Sequence, residues 1–487
     1  MRFEIMVPGD SRCSKNRLTP MILGGFCAAL AFGIAIATTP VAWGQDAGGP
    51  APVGTETQAV DESTQTLFPH FEAGRFWISG QANFIYQAHP SFDAPYSGAN
   101  SFAPNAQDAT SRVVTLYTGF ELTKSIEALV DVEEAGGGGL SQALGLAGFT
   151  NLDVVRNPTL SKAPYLARVM YHQVIALSHD KVANARGPLS TFTELPARRL
   201  ELRFGKFGVA DFFDVNSVGS DSHMQFMNWT IDQNGAYDYA ADTRGYTWAA
   251  MAEYQSPKWG VRFAEALLPT VANGPQLVWN LRRANASNVE FELHRGFLRR
   301  KDGIIRVLWY LNNANMGIYQ AANQEYLEGL VAVPDITHHP RQVTTKYGFG
   351  LNFEQVLTKD IVAYGRVGWN NGKTESWAYT ETDNTAQAGA GFSGHLWKRR
   401  NDRAGFSFVS NGISNEHAQY LSYGGLGFIL GDGGLTYGRE NILESYYTTH
   451  TWRGIYIGPD VQYVLNPGYN QVRGPIIVYS LRLHTEF

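Results

Sequence analysis

The sequence predicts an all-β protein, a transmembrane antiparallel β-barrel with short turns at one end and long loops at the other. Three observations predict it. First, segments that alternate apolar and polar residues come in pairs joined by tight turns, the period-2 pattern of strands with one face in lipid and one toward a lumen. Second, charged residues are only 17% and aromatics 13% of the 487 residues, yet the mean hydropathy is slightly negative. Beyond the N-terminus, no run reaches the roughly 20 apolar residues that a membrane helix needs. Third, the last alternating segment closes on an aromatic: Ile477, Tyr479, Leu481, Leu483 and Thr485 share a face with Phe487, while Val478, Ser480, Arg482, His484 and Glu486 form the other. Such an ending resembles the signal by which outer-membrane barrels are selected for assembly.

The chain opens with Arg12, Lys15 and Arg17 ahead of an apolar run from Met21 to Ala37 and the small-residue site around Ala42-Trp43-Gly44. This reads as a secretory signal over residues 1–44, cut before Gln45. Cys13 and Cys27 both fall inside it, so the exported chain has no thiol for disulfide or metal chemistry. Export leaves 35 basic and 42 acidic residues, a formal charge of −7, which argues against nucleic acid as a partner. Residues 45–70, rich in Gly, Pro, Thr, Ala and Gln, read as a flexible N-terminal segment. Residues 71–487 form the barrel domain.

The first strand is expected from Arg75 to Gln87, where Phe76, Ile78, Gly80, Ala82, Phe84 and Tyr86 give a blurred alternation. A polar loop follows over His89–Ala109. Arg112–Glu121 then turns at Thr123-Lys124-Ser125 into Ile126–Glu133, where Ala128, Val130 and Val132 point outward and Glu127, Leu129, Asp131 and Glu133 point inward. Leu140–Leu152, after four glycines, suits a short loop helix. Arg199–Phe204 alternates Leu200, Leu202 and Phe204 with Arg199, Glu201 and Arg203. Three hairpins follow the same rule. Tyr246–Tyr254 pairs with Trp259–Ala266, and Val289–Phe297 turns at Arg300-Lys301-Asp302-Gly303 into Ile304–Leu311. Tyr347–Val356 turns at Leu357–Asp360 into Ile361–Trp369. Asp211–Arg244, Tyr319–His339 and Lys373–Leu396 read as long polar connections. Turns rich in Gly, Pro and charge at one end favour hairpins there.

Several stretches resemble the carbohydrate-selective porins of the OprB type. They are Gln81–Gln87, Phe204–Phe207 with Phe212–Asn216, and Gly368–Glu375. The closing run is the most specific: Gly431–Gly433, Tyr437–Glu440, Glu444–Tyr447, Pro459–Tyr463, Asn466–Asn470, Arg473–Pro475 and Arg482–His484. The resemblance spans residues 75–487 and implies a barrel of about 16 strands in the bacterial outer membrane that passes sugars by diffusion. The 443 residues left after export accommodate that number at ~10 residues per membrane crossing. The expected partners are small carbohydrates, outer-membrane lipid and lipopolysaccharide, the barrel-assembly machinery through the strand ending at Phe487, and two further copies in a homotrimer. No cofactor is expected.

A sugar offers C–H faces to aromatic rings and hydroxyls to groups that donate or accept several hydrogen bonds. By strand parity the inward charges are Glu127, Asp131, Glu133, Arg168, Arg203 and Arg366, with Arg482 on the last strand. Trp229 and Trp377, in long loops, are the expected stacking surfaces. The same charges serve equally as ladders that hold the inner wall, and Asp211, Asp214 and Asn216 as caps of a constriction loop. Trp259, Trp309 and Trp369 suit the membrane interface. His338-His339, His395, His417 and His450 lack metal-ligand spacing.

Two alternatives accompany this reading. One is a general or anion-preferring channel for small solutes. The other, of a different class, is a secreted all-β polysaccharide-binding protein or glycosidase in which Glu440 and Glu444 act as acid and base.

Overall fold

Strands that alternate between lipid and lumen leave no backbone group unpaired only when their sheet closes on itself, and here it does. The computed structural model describes residues 66–70, 74–154, 160–295, 302–378 and 380–487. They fall in one unit, Pro50–Phe487. The signal, both cysteines and most of residues 45–70 lie outside the described residues.

Strands β1 (Phe76–His89), β2 (Gln107–Thr123), β3 (Ile126–Gly137) and β4 (Tyr165–Ala176) precede a small hairpin, β5 (Lys181–Ala183) and β6 (Glu194–Pro196). Then come β7 (Arg199–Phe207), β8 (Thr247–Gln255), β9 (Trp259–Ala266), β10 (Asn285–His294), β11 (Gly303–Ala314) and β12 (Thr344–Thr358). The ring is completed by β13 (Ile361–Asn370), β14 (Asn384–Ser393), β15 (Arg403–Gly412), β16 (Glu440–Trp452), β17 (Ile455–Leu465) and β18 (Ile476–Glu486). Among the described residues, sixteen strands form one closed antiparallel barrel, and β5–β6 stands apart as a two-stranded sheet.

The two faces follow the sequence. In β18, Tyr479, Leu481 and Leu483 are exposed on the outside, and Val478, Ser480, Arg482 and His484 are buried toward the lumen. In β3, Glu127, Leu129, Asp131 and Glu133 are buried as their parity requires. Trp259, Trp309 and Trp369 are exposed on the outer face. The blur in β1 has a simple origin. Its outward set is Phe76, Ile78, Gly80, Ala82, Phe84 and Tyr86, but two of these are small, and the inward face carries Trp77 and Ile85 among Gln81, Asn83 and Gln87.

Three elements depart from expectation. Lys373–Leu396 is not one connection, because β14 lies within it. Its inward Gly389 and Gly391 leave room for Tyr364 and Val218, which a Cβ would meet at 2.6 and 3.2 Å. With Ala at three outward positions, it carries little hydrophobic alternation. The β4–β7 link is a folded hairpin rather than a tight turn. In Leu140–Leu152 only the 3₁₀ turn Leu140–Ala143 forms. The turn residues Arg300 and Lys301 lie outside the described residues.

The ring closes where β18 pairs with β1, from Gln81 opposite Glu486 to Ala88 opposite Tyr479. Beyond that register the Gly80 N–H donates to the Phe487 carbonyl at 2.6 Å, and the Phe487 N–H returns to Gly80 at 2.9 Å. The Phe487 ring lies over Gly80, so a Cβ there would sit 2.5 Å from the ring and 2.9 Å from the Thr115 carbonyl. The Thr115 backbone cannot give way as a side chain can. Gly80→Val should therefore loosen the seam, and the heat-resistant folded band on a gel should convert to the unfolded position at a lower temperature than in the parent.

Candidate functional site

The inner wall carries charge in a continuous belt. Asp131 and Arg168 face each other across β3–β4 and form an ion pair, and Arg168 extends to Asp211 at 2.7 Å. His172 sits between Glu127 and Glu201 at 2.6 and 2.8 Å. Glu201 and Glu253 are opposed across β7–β8, a repulsive placement that Arg203 relieves by pairing with both. Arg262 bonds Glu253, Glu290 and Glu292, and Arg306 bonds Glu292 and Glu354. The rigid guanidinium fork suits this, since Arg203, Arg262 and Arg306 each span carboxylates on adjacent strands.

Around the rest of the ring the wall turns to a different task. The β7–β8 connection, about 40 residues from Gly208 to Tyr246, folds into the lumen and buries its backbone, which must then find partners. Wall carboxylates accept its N–H groups: Glu290 from Asp214, Glu354 from Ser217, and Glu444 from Met227 and Asn228. Wall donors take its carbonyls: Arg262 bonds Phe212, Asn352 bonds Asp214 and Arg482 bonds Gln225. Arg366, 1% exposed, donates to the carbonyls of Asp214, Ile231 and Asp232 and to Ser220 Oγ at 2.6–3.0 Å.

The β3–β4 connection enters the lumen by the same means, with Glu440 accepting from Ala147 and Gly148. Asp153 in that connection pairs with His223 in the other at 3.3 Å, and Asn83 and Gln81 of β1 bond the two partners. The result is a clasp between the two inserted segments and the wall.

Of the residues singled out from sequence, Glu127, Asp131, Arg168 and Arg203 lie in the belt. Glu127 also holds the β5–β6 hairpin through the Thr191 N–H and hydroxyl. Glu133 accepts from Thr115, Tyr165 and Tyr246. Arg366 is a loop anchor. Trp229 and Trp377 do turn inward, but they are 1% and 2% exposed, with indole N–H groups bonded to the carbonyls of Asn151 and Pro269. They pack the lumen segments and offer no open face for stacking. Asn216 caps its own turn, accepting from Val218 and Gly219. Glu440 and Glu444, the pair considered for hydrolysis, are each committed to loop amides.

The inserted segments enclose a cavity of about 200 Å³, lined by Asp211, Asp214, Asp221, Asp232, His223, Asn234, Tyr237 and Tyr239 with Leu152, Ala210, Phe213, Ser220, Ser222 and Gln233. Most of these residues were not singled out from sequence. Their signal was the density of Asp, Asn and Tyr within one long connection, which strand parity does not rank. Carboxylates and amides are groups that the hydroxyls of a polyhydroxylated ring require, and Tyr237 and Tyr239, both buried, stand beside them. Among the described residues no cluster of three or more His, Cys, Asp or Glu side chains is placed to hold a metal ion.

The family model described as carbohydrate-selective porin, OprB family, matches residues 99–487, which covers β2 through β18. The high-pH structure of Pseudomonas putida OprB is similar in fold, with a TM-score of 0.61 at 14% identity over 85% of this chain and 94% of that one. The outer membrane channel DcaP of Acinetobacter baumannii aligns at a TM-score of 0.49 and 8% identity, over 85% of this chain and 97% of its own. No curated protein matches the chain in sequence.

Two outcomes follow from the anchoring. Arg366→Ala leaves the buried carbonyls of Ile231 and Asp232 without donors, at ~1–3 kcal/mol for each unsatisfied group, while that of Asp214 keeps Asn352. The loop should loosen, and single-channel recordings should show larger, noisier currents. The clasp responds to pH. Against the penalty of burial, the Asp153 carboxylate pushes His223 up to about 9. The pair therefore contributes fully below the ordinary imidazole value near 6.5 and is lost as pH rises through about 9. Current noise should increase from pH 7 to pH 10, and His223→Gln should flatten that dependence.

Proposed function

The chain belongs to the OprB family of carbohydrate-selective porins, and we propose that this outer-membrane channel favours monosaccharides such as glucose, which cross it by passive diffusion past the inserted loops. The observation that carries the preference is the cavity in the lumen, where two tyrosines and a set of carboxylates and amides stand side by side. A neutral sugar can exchange its water for such groups without an ion's desolvation penalty. The wall charges support the same reading, because Arg203, Arg262 and Arg306 are engaged by carboxylates and so present no uncompensated positive field to draw in anions. The commitment of Glu440 and Glu444 to backbone amides favours a channel without catalysis.

The outward aromatic and aliphatic residues suit contact with outer-membrane lipid and lipopolysaccharide. The strand ending at Phe487 suits engagement by the assembly machinery, and three barrels are expected to associate. Proteoliposomes should swell faster in monosaccharides than in amino acids of similar size. Equal rates would reduce the protein to a general porin, and a marked reversal potential under a salt gradient would favour the ion-preferring alternative.

A further inference from the structure

Four aspartates line the lumen cavity, but only two of them have a cation within ion-pair distance. Asp211 is paired with Arg168 at 2.7 Å, and Asp214 lies 3.6 Å from Arg366. The cavity's imidazole, His223, is held by Asp153 instead. Among the described residues Asp221 and Asp232 have no cation within ion-pair distance. Asp221 Oδ1 accepts the N–H groups of His223 and Met224. Asp232 has no such support: it is 4% exposed and its Oδ1 has no hydrogen-bond partner among the described residues. Two residues on, Asn234 is 3% exposed, and its Nδ2, with no partner at full hydrogen-bond geometry, lies beside the Asp214 carboxylate.

Buried polar atoms left unpaired are costly unless something completes them. Here they are a carboxylate acceptor and an amide donor on the wall of one cavity. Water is the simplest complement, but it leaves the carboxylate without a counter-charge. Burial, opposed by Arg366, pushes Asp232 up to about 7, so the carboxyl is about half neutral at pH 7 and an ammonium beside it would favour its charged form. A bare metal ion does not suit the geometry, because the carboxylates are not gathered closely enough to chelate one. The space of about 200 Å³ is many times what one water needs. Tyr237 and Tyr239, with rings 5.7 Å apart and tilted by 55°, border the same space, although both are buried.

A positive charge on a ringed, hydroxylated body matches all of these features. We infer that the cavity is a selectivity site for sugars bearing a protonated amine, with Asp232 as the acceptor of the ammonium and Asn234 as a donor to a ring hydroxyl. Amino sugars would bind there more tightly than neutral sugars, and sugar acids more weakly than either. The inference rests on the sugar-channel reading and adds a charge preference to it.

The test is block of ion current through single channels in planar bilayers at pH 7, titrated with glucosamine, glucose and glucuronate. Glucosamine should half-block at a concentration about tenfold below glucose, the ratio expected from one charge-assisted hydrogen bond. Glucuronate should need more than glucose. In Asp232→Asn, which keeps the size of the side chain, the glucosamine-to-glucose ratio should fall to near one. Should that variant fail to give channels, Asp221→Asn should lower the same ratio. Equal block by glucosamine and glucose in the parent would overturn the inference while leaving the sugar channel standing, and a tenfold ratio that survives Asp232→Asn would overturn the assignment of Asp232. Absence of block by any sugar, together with no sugar-driven swelling of proteoliposomes, would instead remove the sugar-channel reading on which it rests.

Discussion

The constraint on which the structure depends is that backbone folded into the lumen must be hydrogen-bonded as completely as the strands around it. A sheet meets that requirement for its own strands, but a connection that leaves the sheet cannot. In this barrel the wall side chains supply what the ladder would have supplied. Glu440 and Glu444 act as surrogate carbonyls for loop N–H groups. Arg366, Asn352 and Arg482 act as surrogate amides for loop carbonyls. Because these anchors are buried and, Asn352 apart, charged, the loop has few alternative positions of similar energy. The position of the inserted connection is thus set by the wall, although the strands do not themselves line the cavity.

The charge distribution divides the ring into two regions with distinct work. From β3 to β12 the inward Arg, His and Glu residues bond mainly one another, and they tie neighbouring strands through Arg262 and Arg306. From β13 to β18 the inward polar residues mostly bond inserted backbone. Glu290 and Glu354 belong to both groups, since each pairs with an Arg of the belt and also accepts a loop N–H. They couple the belt to the inserted connection. Outer loops add a third layer: Tyr319 stacks on His417 at 4.2 Å, and His417 bonds Asp383 within a buried cluster that includes Tyr420, Leu421 and Tyr469.

The barrel was legible in the sequence wherever alternation was strong. β3, β7 and β18 show their two faces residue by residue, and the tight turns after β2 and β12 are spelled by Lys, Ser and Asp. Legibility failed where side-chain size was dictated by neighbours distant in sequence. β14 hides because Gly389 makes room for Tyr364, its cross-strand partner on β13, and Gly391 for Val218 of the inserted connection. The two loop tryptophans illustrate the same limit. Their inward direction follows from sheer apolar size, whereas their burial depends on Phe149 and on the carbonyls of Asn151 and Pro269. Strand parity assigns a face to Arg366 without distinguishing a belt residue from a loop anchor. The cavity aspartates occupy a loop, where no period applies.

Hydrogen–deuterium exchange of the folded channel in detergent or lipid tests the central point most directly. If wall side chains replace the sheet ladder, the amides of Ala147, Gly148, Met227 and Asn228 exchange as slowly as those of the flanking strands, although they lie in connections. Exchange of those four amides at the rate of an exposed loop would contradict it.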